Sequence, residues 1–198
     1  MSEYSLSEYS LYATGALPER AYRWHGFSLE EVDYRTLLSV AARRNCESQT
    51  REIIRERFNA TLPGPQQSTL NANMRIMWTA QEQWFVSAPN SDSLVDEFTQ
   101  CLRGVASVTE QSDGWVELAL SGTKTREVLE LLSPVDLRAQ TFGPNATTRT
   151  TIEHIGVQLT QIDTNAPAFS LLSFRSSGRS LLHAVQEAAT TICGVQLN

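Results

Sequence analysis

The sequence predicts an α+β fold in which antiparallel sheets have helices packed on one face. Apolar residues alternate with polar ones over several short segments, as they do in half-buried strands. Short connections rich in turn-forming residues separate neighbouring strand segments, which favours antiparallel pairing. A segment with helical spacing follows each strand pair, so repeated strand–strand–helix units, about three of them, run along the 198 residues.

Residues 1–47 are predicted to form an N-terminal arm and a helix. The arm repeats Ser-Glu-Tyr-Ser-Leu and no partner strand follows closely, so we expect it to be either ordered against another chain or frayed. A segment at 28–31 matches a capping box, and apolar residues at roughly helical spacing continue to Arg43. The residues of the arm that we expect at an interface are Tyr4, Tyr9, Leu11 and Tyr12.

Residues 48–198 are predicted to form one α+β domain, either as a single body or as two small lobes. A helix is expected over 48–58, because Ile54 and Phe58 lie about one turn apart. Leu62-Pro63-Gly64-Pro65 ends this helix and marks the expected linker.

A hairpin with tryptophan in both strands is predicted after the linker. The alternation around Ile76 and Trp78 indicates one strand, and 84–86 indicates its partner. Trp84 begins the second strand, and we expect it to seal either a core or an interface. Ser91 then caps a helix that continues to Leu102.

Strands at 105–109 and 115–120 are predicted to form the next hairpin. Asp113-Gly114 lies between them and is a strong turn signal. A helix through Val128, Leu129 and Leu132 follows, and Ser133-Pro134 ends it.

The last third repeats this scheme. Strands are expected over 152–162 and 169–174. Apolar residues from Leu181 to Ile192 lie on one helical face and predict the final helix.

Composition and charge exclude several classes of protein. The formal charge is −6 and the pI is about 5.1, so the basic surface that nucleic-acid binding requires is missing. The N-terminus has no basic stretch before an apolar one, and no apolar run is long enough to span a bilayer. The three cysteines are odd in number and widely separated, which suits a reducing compartment. We expect a soluble, cytoplasmic protein.

No motif for catalysis, cofactor binding or metal binding is present, so no residue is assigned to any of these roles. The sequence contains no Gly-x-Gly-x-x-Gly, no phosphate-binding loop, no Gly-x-Ser-x-Gly and no close Cys or His pair. His183 and Cys193 lie roughly 15 Å apart along one predicted helix, too far to act as base and nucleophile. The segment 175–180 could hold an anion, although Ser177 as a simple helix cap is the favoured interpretation.

Several segments, taken in order, resemble the gamma subunits of heterotetrameric sarcosine oxidases. The resemblance extends over about residues 48–193 and rests on short motifs of turn and core chemistry. These motifs are the tryptophan hairpin at 75–87, the strand and Ser-Gly turn at 111–122, the Asp-Leu segment at 134–137, the Phe-Pro segment at 142–144 followed by 147–151, and the Arg-Ser helix start at 175–182.

The resemblance implies a non-catalytic structural or assembly subunit with alpha, beta and delta subunits as partners. Such complexes oxidatively demethylate sarcosine to glycine, with hydrogen peroxide and either methylene-tetrahydrofolate or formaldehyde as further products. The family places its flavins (FAD and FMN), NAD, zinc and tetrahydrofolate on other subunits. It also implies a fold related to folate-binding aminomethyltransferase domains.

A free-standing folate or one-carbon binding protein of the same fold group is the alternative. It would need a polar pocket between the lobes, with an acidic residue such as Asp136 against the pterin. Asp136 as an ordinary turn residue is the favoured interpretation of that position.

Overall fold

The computed structural model describes residues 15–33, 35–163 and 167–197. Within these ranges the chain forms eleven strands and four α-helices. The strands are β1 (Ala21–Trp24), β2 (Phe27–Glu31), β3 (Arg35–Ala42), β4 (Ser68–Asn71), β5 (Met74–Ala80), β6 (Gln83–Pro89), β7 (Ala106–Glu110), β8 (Trp115–Ser121), β9 (Thr147–Ile152), β10 (Ile155–Asp163) and β11 (Ala168–Phe174). The helices are α1 (Glu47–Phe58), α2 (Asp92–Cys101), α3 (Thr125–Leu132) and α4 (Gly178–Cys193).

The strands form two antiparallel sheets. One has six strands in the order β1-β2-β8-β11-β10-β9, and the other has five in the order β4-β5-β6-β3-β7. The chain begins the six-stranded sheet with β1 and β2, forms the whole five-stranded sheet, and then returns to complete the first sheet. The α+β class predicted from the sequence is confirmed.

Each sheet packs helices on its outer face and meets the other sheet with its inner face. On the six-stranded sheet, α3 and α4 bury residues such as Leu129 and Leu181 against Leu118. On the five-stranded sheet, α1 and α2 bury Ile54 and Phe98 against the strands. The apolar side chains between the two sheets are Leu37, Met77, Phe85, Trp115 and Leu172. The molecule is therefore a four-layer arrangement, helix–sheet–sheet–helix.

Local signals explain several of these elements. The Ser91 hydroxyl accepts a hydrogen bond of 3.3 Å from the backbone N–H of Leu94, which caps α2 as expected. After β8, Gly122 has a φ of +120°, and a Cβ there would lie 2.3 Å from the carbonyl oxygen of Gly26. Only glycine fits where the turns after β1 and β8 approach each other.

The helix predicted to run from the capping box to Arg43 is wrong. Residues 27–31 form β2, and residues 35–42 form β3. β3 is a central strand whose two faces are both buried, so Leu37 faces the other sheet while Leu38 and Val40 face the helices. Consecutive buried residues remove the alternation that marks a strand, and the remaining spacing resembles a helix.

The hairpin predicted across Asp113-Gly114 is also wrong, although both strands exist. β7 pairs with β3 in the five-stranded sheet, and β8 pairs with β2 and β11 in the six-stranded sheet. A short 3-10 turn at Ser112–Gly114 carries the chain from one sheet to the other. The turn signal was correct, but it joins two layers instead of two paired strands.

The other predicted elements agree with the structure within a few residues. Helix α1, the β5–β6 hairpin, α2, α3 and α4 lie where expected, and the strand predicted from 152 corresponds mainly to β10. The division of the chain at residue 47 stays a prediction; β2 and β3, which precede it, pair with strands that follow it. No helix in the described ranges combines the length and apolar character needed to cross a bilayer.

Candidate functional site

A cleft opens between the inner faces of the two sheets, and we call it the inter-sheet cleft. One part, of about 300 Å³, is lined mainly by β2, β3, β8 and β11. A second part, of about 480 Å³, is lined mainly by β3, β5, β6 and β8. Val32, Arg35, Ser87 and Glu117 line both parts, so the two adjoin at these residues.

Arg35 projects into the cleft from the start of β3. Its Nε donates to the Ser87 hydroxyl over 2.9 Å, and its Nη2 donates to the carbonyl oxygen of Asn73 over 2.9 Å. These bonds to β6 and to the β4–β5 turn hold the guanidinium in one orientation. Arg35 therefore provides a fixed positive charge where the two parts of the cleft meet.

Arg75 on β5 lines the larger part of the cleft. Its Nη1 donates to the Ser68 hydroxyl over 3.2 Å and to the Asn145 side-chain oxygen over 3.3 Å. Burial lowers the pKa of Arg75, and the Arg35 charge lowers it further, while Glu117 acts in the opposite direction. The two guanidiniums line the same space, where burial is the main factor that disfavours the charged form of Arg75.

Glu117 on β8 faces the arginines from the opposite sheet. One of its oxygens accepts a hydrogen bond of 2.6 Å from the Ser170 hydroxyl on the neighbouring strand β11. Glu117 forms no ion pair with Arg35 or Arg75 within the described ranges. The carboxylate and the guanidiniums line the same space without neutralising one another by contact.

The smaller part of the cleft has a carboxylate and an aromatic wall. Glu31 accepts hydrogen bonds from the backbone N–H groups of Ala16 (2.6 Å) and Leu17 (3.0 Å). Trp115 contacts Phe85 edge-on, with ring centroids 5.0 Å apart, and contacts Phe174 at 4.5 Å. Phe174 is 50% exposed, so this aromatic group continues to the protein surface.

This arrangement suits the binding of an anionic group beside an apolar one. Guanidinium groups bind carboxylates and phosphates through paired N–H donors, and aromatic rings supply apolar contact. Within the part of the chain that the structure describes, no three His, Cys, Asp or Glu side chains are grouped to hold a metal ion.

The interface residues predicted from the sequence fall in two places. Tyr4, Tyr9, Leu11 and Tyr12 lie outside the described residues. Trp84 has no exposed surface; its Nε1 donates to the carbonyl oxygen of Pro63 over 2.9 Å, and the Arg51 guanidinium lies 5.1 Å from its ring. In this chain Trp84 contributes to the core between the five-stranded sheet and its helices.

Other residues considered from the sequence lie away from the cleft or have local roles. Asp136 is exposed and pairs with Arg138, which holds the pKa of that carboxyl well below its usual range. His183 pairs with Glu187 on α4, while burial raises the pKa of the Cys193 thiol at the end of the same helix. Ser177 makes no side-chain cap hydrogen bond, so the favoured capping role is wrong.

Sequence reasoning missed Arg35, Arg75 and Glu117 as a group. Each is a charged residue inside a strand whose neighbours are mostly buried. A charged side chain in such a strand destabilises the fold unless it faces a polar space. Its presence therefore indicates an inner surface that is not completely apolar. The sequence gives no indication that the three residues meet.

Comparisons with known proteins agree with the fold described above. No family model and no curated protein matches the sequence. The chain is similar to a chain of the heterotetrameric sarcosine oxidase from Corynebacterium sp. U-96, solved in complex with pyrrole 2-carboxylate, with 19% identity and a TM-score of 0.76 over 87% of this chain and 88% of that one.

A second similar structure is aminomethyltransferase T of the glycine cleavage system from Bartonella henselae. The identity is 16% and the TM-score 0.59, over 81% of this chain and 45% of that one. This chain therefore corresponds in fold to less than half of the aminomethyltransferase. The two comparisons confirm the fold relation that the sequence motifs predicted: this chain has the fold of a chain of a sarcosine oxidase heterotetramer.

Proposed function

We propose that this protein is a non-catalytic, gamma-type subunit of a heterotetrameric sarcosine oxidase. The observation that carries the proposal is the agreement in fold with a chain of such an oxidase along nearly the whole of both chains. The order of the sequence motifs between residues 48 and 193 supports the same assignment.

In this role the chain would hold alpha, beta and delta subunits together in the cytoplasm. The complex would oxidise sarcosine to glycine, with FAD, FMN, NAD, zinc and tetrahydrofolate bound to the other subunits. Obligate interfaces are large and apolar, which is the motive for proposing that Tyr4, Tyr9, Leu11 and Tyr12 bury against a partner. The first described residues lie close to the start of α4: a Cβ placed on Gly178 would be 3.5 Å from the Cβ of Ala16.

The direct test is to purify the tagged full chain from its native cells under gentle conditions. We expect three partners, identified by mass spectrometry as oxidase subunits, and a yellow eluate with a flavin absorption spectrum. A variant lacking residues 1–14 is the matched comparison: it should stay folded by circular dichroism and lose the partners. A colourless chain that elutes alone would contradict the subunit assignment, and unchanged assembly of the variant would contradict the role of the arm.

The second candidate is a free-standing folate or one-carbon binding protein. The inter-sheet cleft favours it, since an apolar and aromatic wall beside charged groups is typical of a small-molecule site. Asp136 does not line this cleft, so it is not the residue to test. Isothermal titration of the isolated chain with a reduced folate distinguishes the candidates, because only the binding protein should give saturable heat.

A further inference from the structure

Three charged side chains face one another across the larger part of the inter-sheet cleft. Arg35 and Arg75 come from the five-stranded sheet, and Glu117 comes from the six-stranded sheet. One explanation is that the three side chains form an internal charge cluster that holds the two sheets together. In the described ranges, however, no ion pair crosses between these groups, so they do not perform that role by direct contact.

The arginines also keep hydrogen-bond donors that the described part of the chain does not use. Arg75 uses Nη1 for its two bonds, which leaves Nε and Nη2. Arg35 uses Nε and Nη2, which leaves Nη1. The orientation of both groups is fixed by bonds to Ser68, Ser87 and Asn73, so these donors are preorganised.

The charges favour an anion at one end of the site. Burial disfavours the charged form of Arg75 and the neighbouring Arg35 charge adds to this, while Glu117 compensates only in part; a bound carboxylate would therefore stabilise the guanidinium. Glu117 opposes a second negative charge nearby, because like charges repel across a cleft of low polarity. The Ser170 hydroxyl engages one oxygen of Glu117 and leaves the other without a partner among the described residues.

The remaining walls of this space are largely apolar. Val32, Leu70, Ala119 and Ile162 line it beside the charged groups. A volume of about 480 Å³ accommodates a small molecule with an apolar substituent.

We propose that this part of the inter-sheet cleft binds a small amino acid-like zwitterion. Arg75 and Arg35 bind its carboxylate, and Glu117 accepts a hydrogen bond from the adjacent ammonium group. The apolar wall contacts the substituent. This inference does not depend on the subunit assignment, because it concerns a site formed entirely within this chain.

The test is a titration of the full-length ¹⁵N-labelled chain, followed by amide chemical shifts, with three matched probes. L-alanine carries both charged groups, propionate lacks the amine, and ethylamine lacks the carboxylate. We expect alanine to bind with low affinity but to reach saturation. Its affinity should be about tenfold higher than that of either fragment, since each fragment loses one charge-assisted contact. The shifted amides should belong to residues that line the cleft.

Two variants assign the contacts. Arg75→Met should weaken alanine binding about tenfold, whereas Arg149→Met, which removes an exposed arginine on β9, should not change it.

Glu117→Gln should weaken the binding of alanine and strengthen the binding of propionate, so that the preference for the zwitterion is lost. Glu130→Gln, which changes an exposed carboxylate on α3, is the matched control.

If Arg75→Met does not fold by circular dichroism, Arg75→Lys replaces it, because lysine keeps the charge and removes the paired donors. Equal affinity for alanine and propionate overturns the proposal, as does an unchanged affinity in the folded arginine variant. Shifts confined to residues outside the cleft, or no saturation of any probe up to about 50 mM, overturn it equally.

Discussion

The outer and inner interfaces of the two sheets differ in chemistry. On the outer faces, helices and strands form two continuous apolar cores. Between the sheets, a small apolar cluster around Phe85 and Leu172 lies beside a polar region. There the Gln158 Nε2 donates to the Trp78 carbonyl oxygen (3.0 Å) and to the Thr147 hydroxyl (2.7 Å).

This difference indicates a division of tasks. A dry, well-packed interface contributes most of the free energy of folding, whereas charged groups in a cleft contribute little to stability and much to recognition. We therefore expect substitutions in the outer cores to affect mainly stability, and substitutions in the inner layer to affect mainly binding.

The largest effect is expected for Trp84→Ala in an outer core. The variant loses a fully buried side chain and its hydrogen bond to Pro63, and should lower the free energy of unfolding by about 4 kcal/mol. Urea denaturation followed by circular dichroism measures this. Trp84→Phe, which keeps most of the apolar volume, should cost about half as much. A loss below 1 kcal/mol would contradict the assignment of stability to this core.

Trp115→Ala is the corresponding change between the sheets. Trp115 is only partly buried, and its ring contacts are those with Phe85 and Phe174. We expect a loss of about 2 kcal/mol, because the site is less enclosed than that of Trp84. The same denaturation measurement applies. A loss equal to that of Trp84→Ala would remove the distinction between the two interfaces.

Arg75→Met should change the free energy of unfolding by no more than about 0.5 kcal/mol, because the lost hydrogen bonds are offset by removal of the cost of burying a charged guanidinium. Thermal denaturation with Arg149→Met as control measures this. A loss above 2 kcal/mol would mean that the charges in the cleft are structural.

The smallest effect concerns Asp136, on an exposed turn outside both interfaces. Arg138 lowers the pKa of Asp136 in the folded chain, so the carboxylate stabilises the fold above its ordinary pKa and loses this effect as the pH falls through the lowered value. From about pH 5 to pH 2, the Tm of wild type should fall about 1 °C further than that of Asp136→Asn. Parallel acid profiles would show that the pair has no effect on stability.

Local signals were sufficient to predict the helices and the β5–β6 hairpin. The helix α2 has its Ser91 cap, and the β5–β6 hairpin has alternating residues and a short turn. The helices α3 and α4 each present one apolar face to a sheet. These features depend on neighbours in the sequence, and a pattern within a few residues therefore specifies them.

The inner layer depends on contacts between distant residues and could not be predicted. β3 was mistaken for part of a helix because helices bury one of its faces and the other sheet buries the other. The strands that pair with it, β6 and β7, are distant in the sequence. The cleft could not be predicted because Arg35, Arg75 and Glu117 lie on three strands that are distant in the sequence. Only the assembled sheets bring these strands together. No single segment contains the site.

The route of the chain through the two sheets has a consequence for its synthesis on the ribosome. All strands of the five-stranded sheet lie in one continuous stretch, from β3 to β7, so this sheet and its helices can assemble as soon as that stretch has emerged. β2 emerges earlier but must wait for β8; Ser28 and Ser121, which are hydrogen-bonded in the finished fold, are 93 positions apart. The six-stranded sheet is therefore completed last, and the cleft between the sheets forms only after β8, β10 and β11 have emerged.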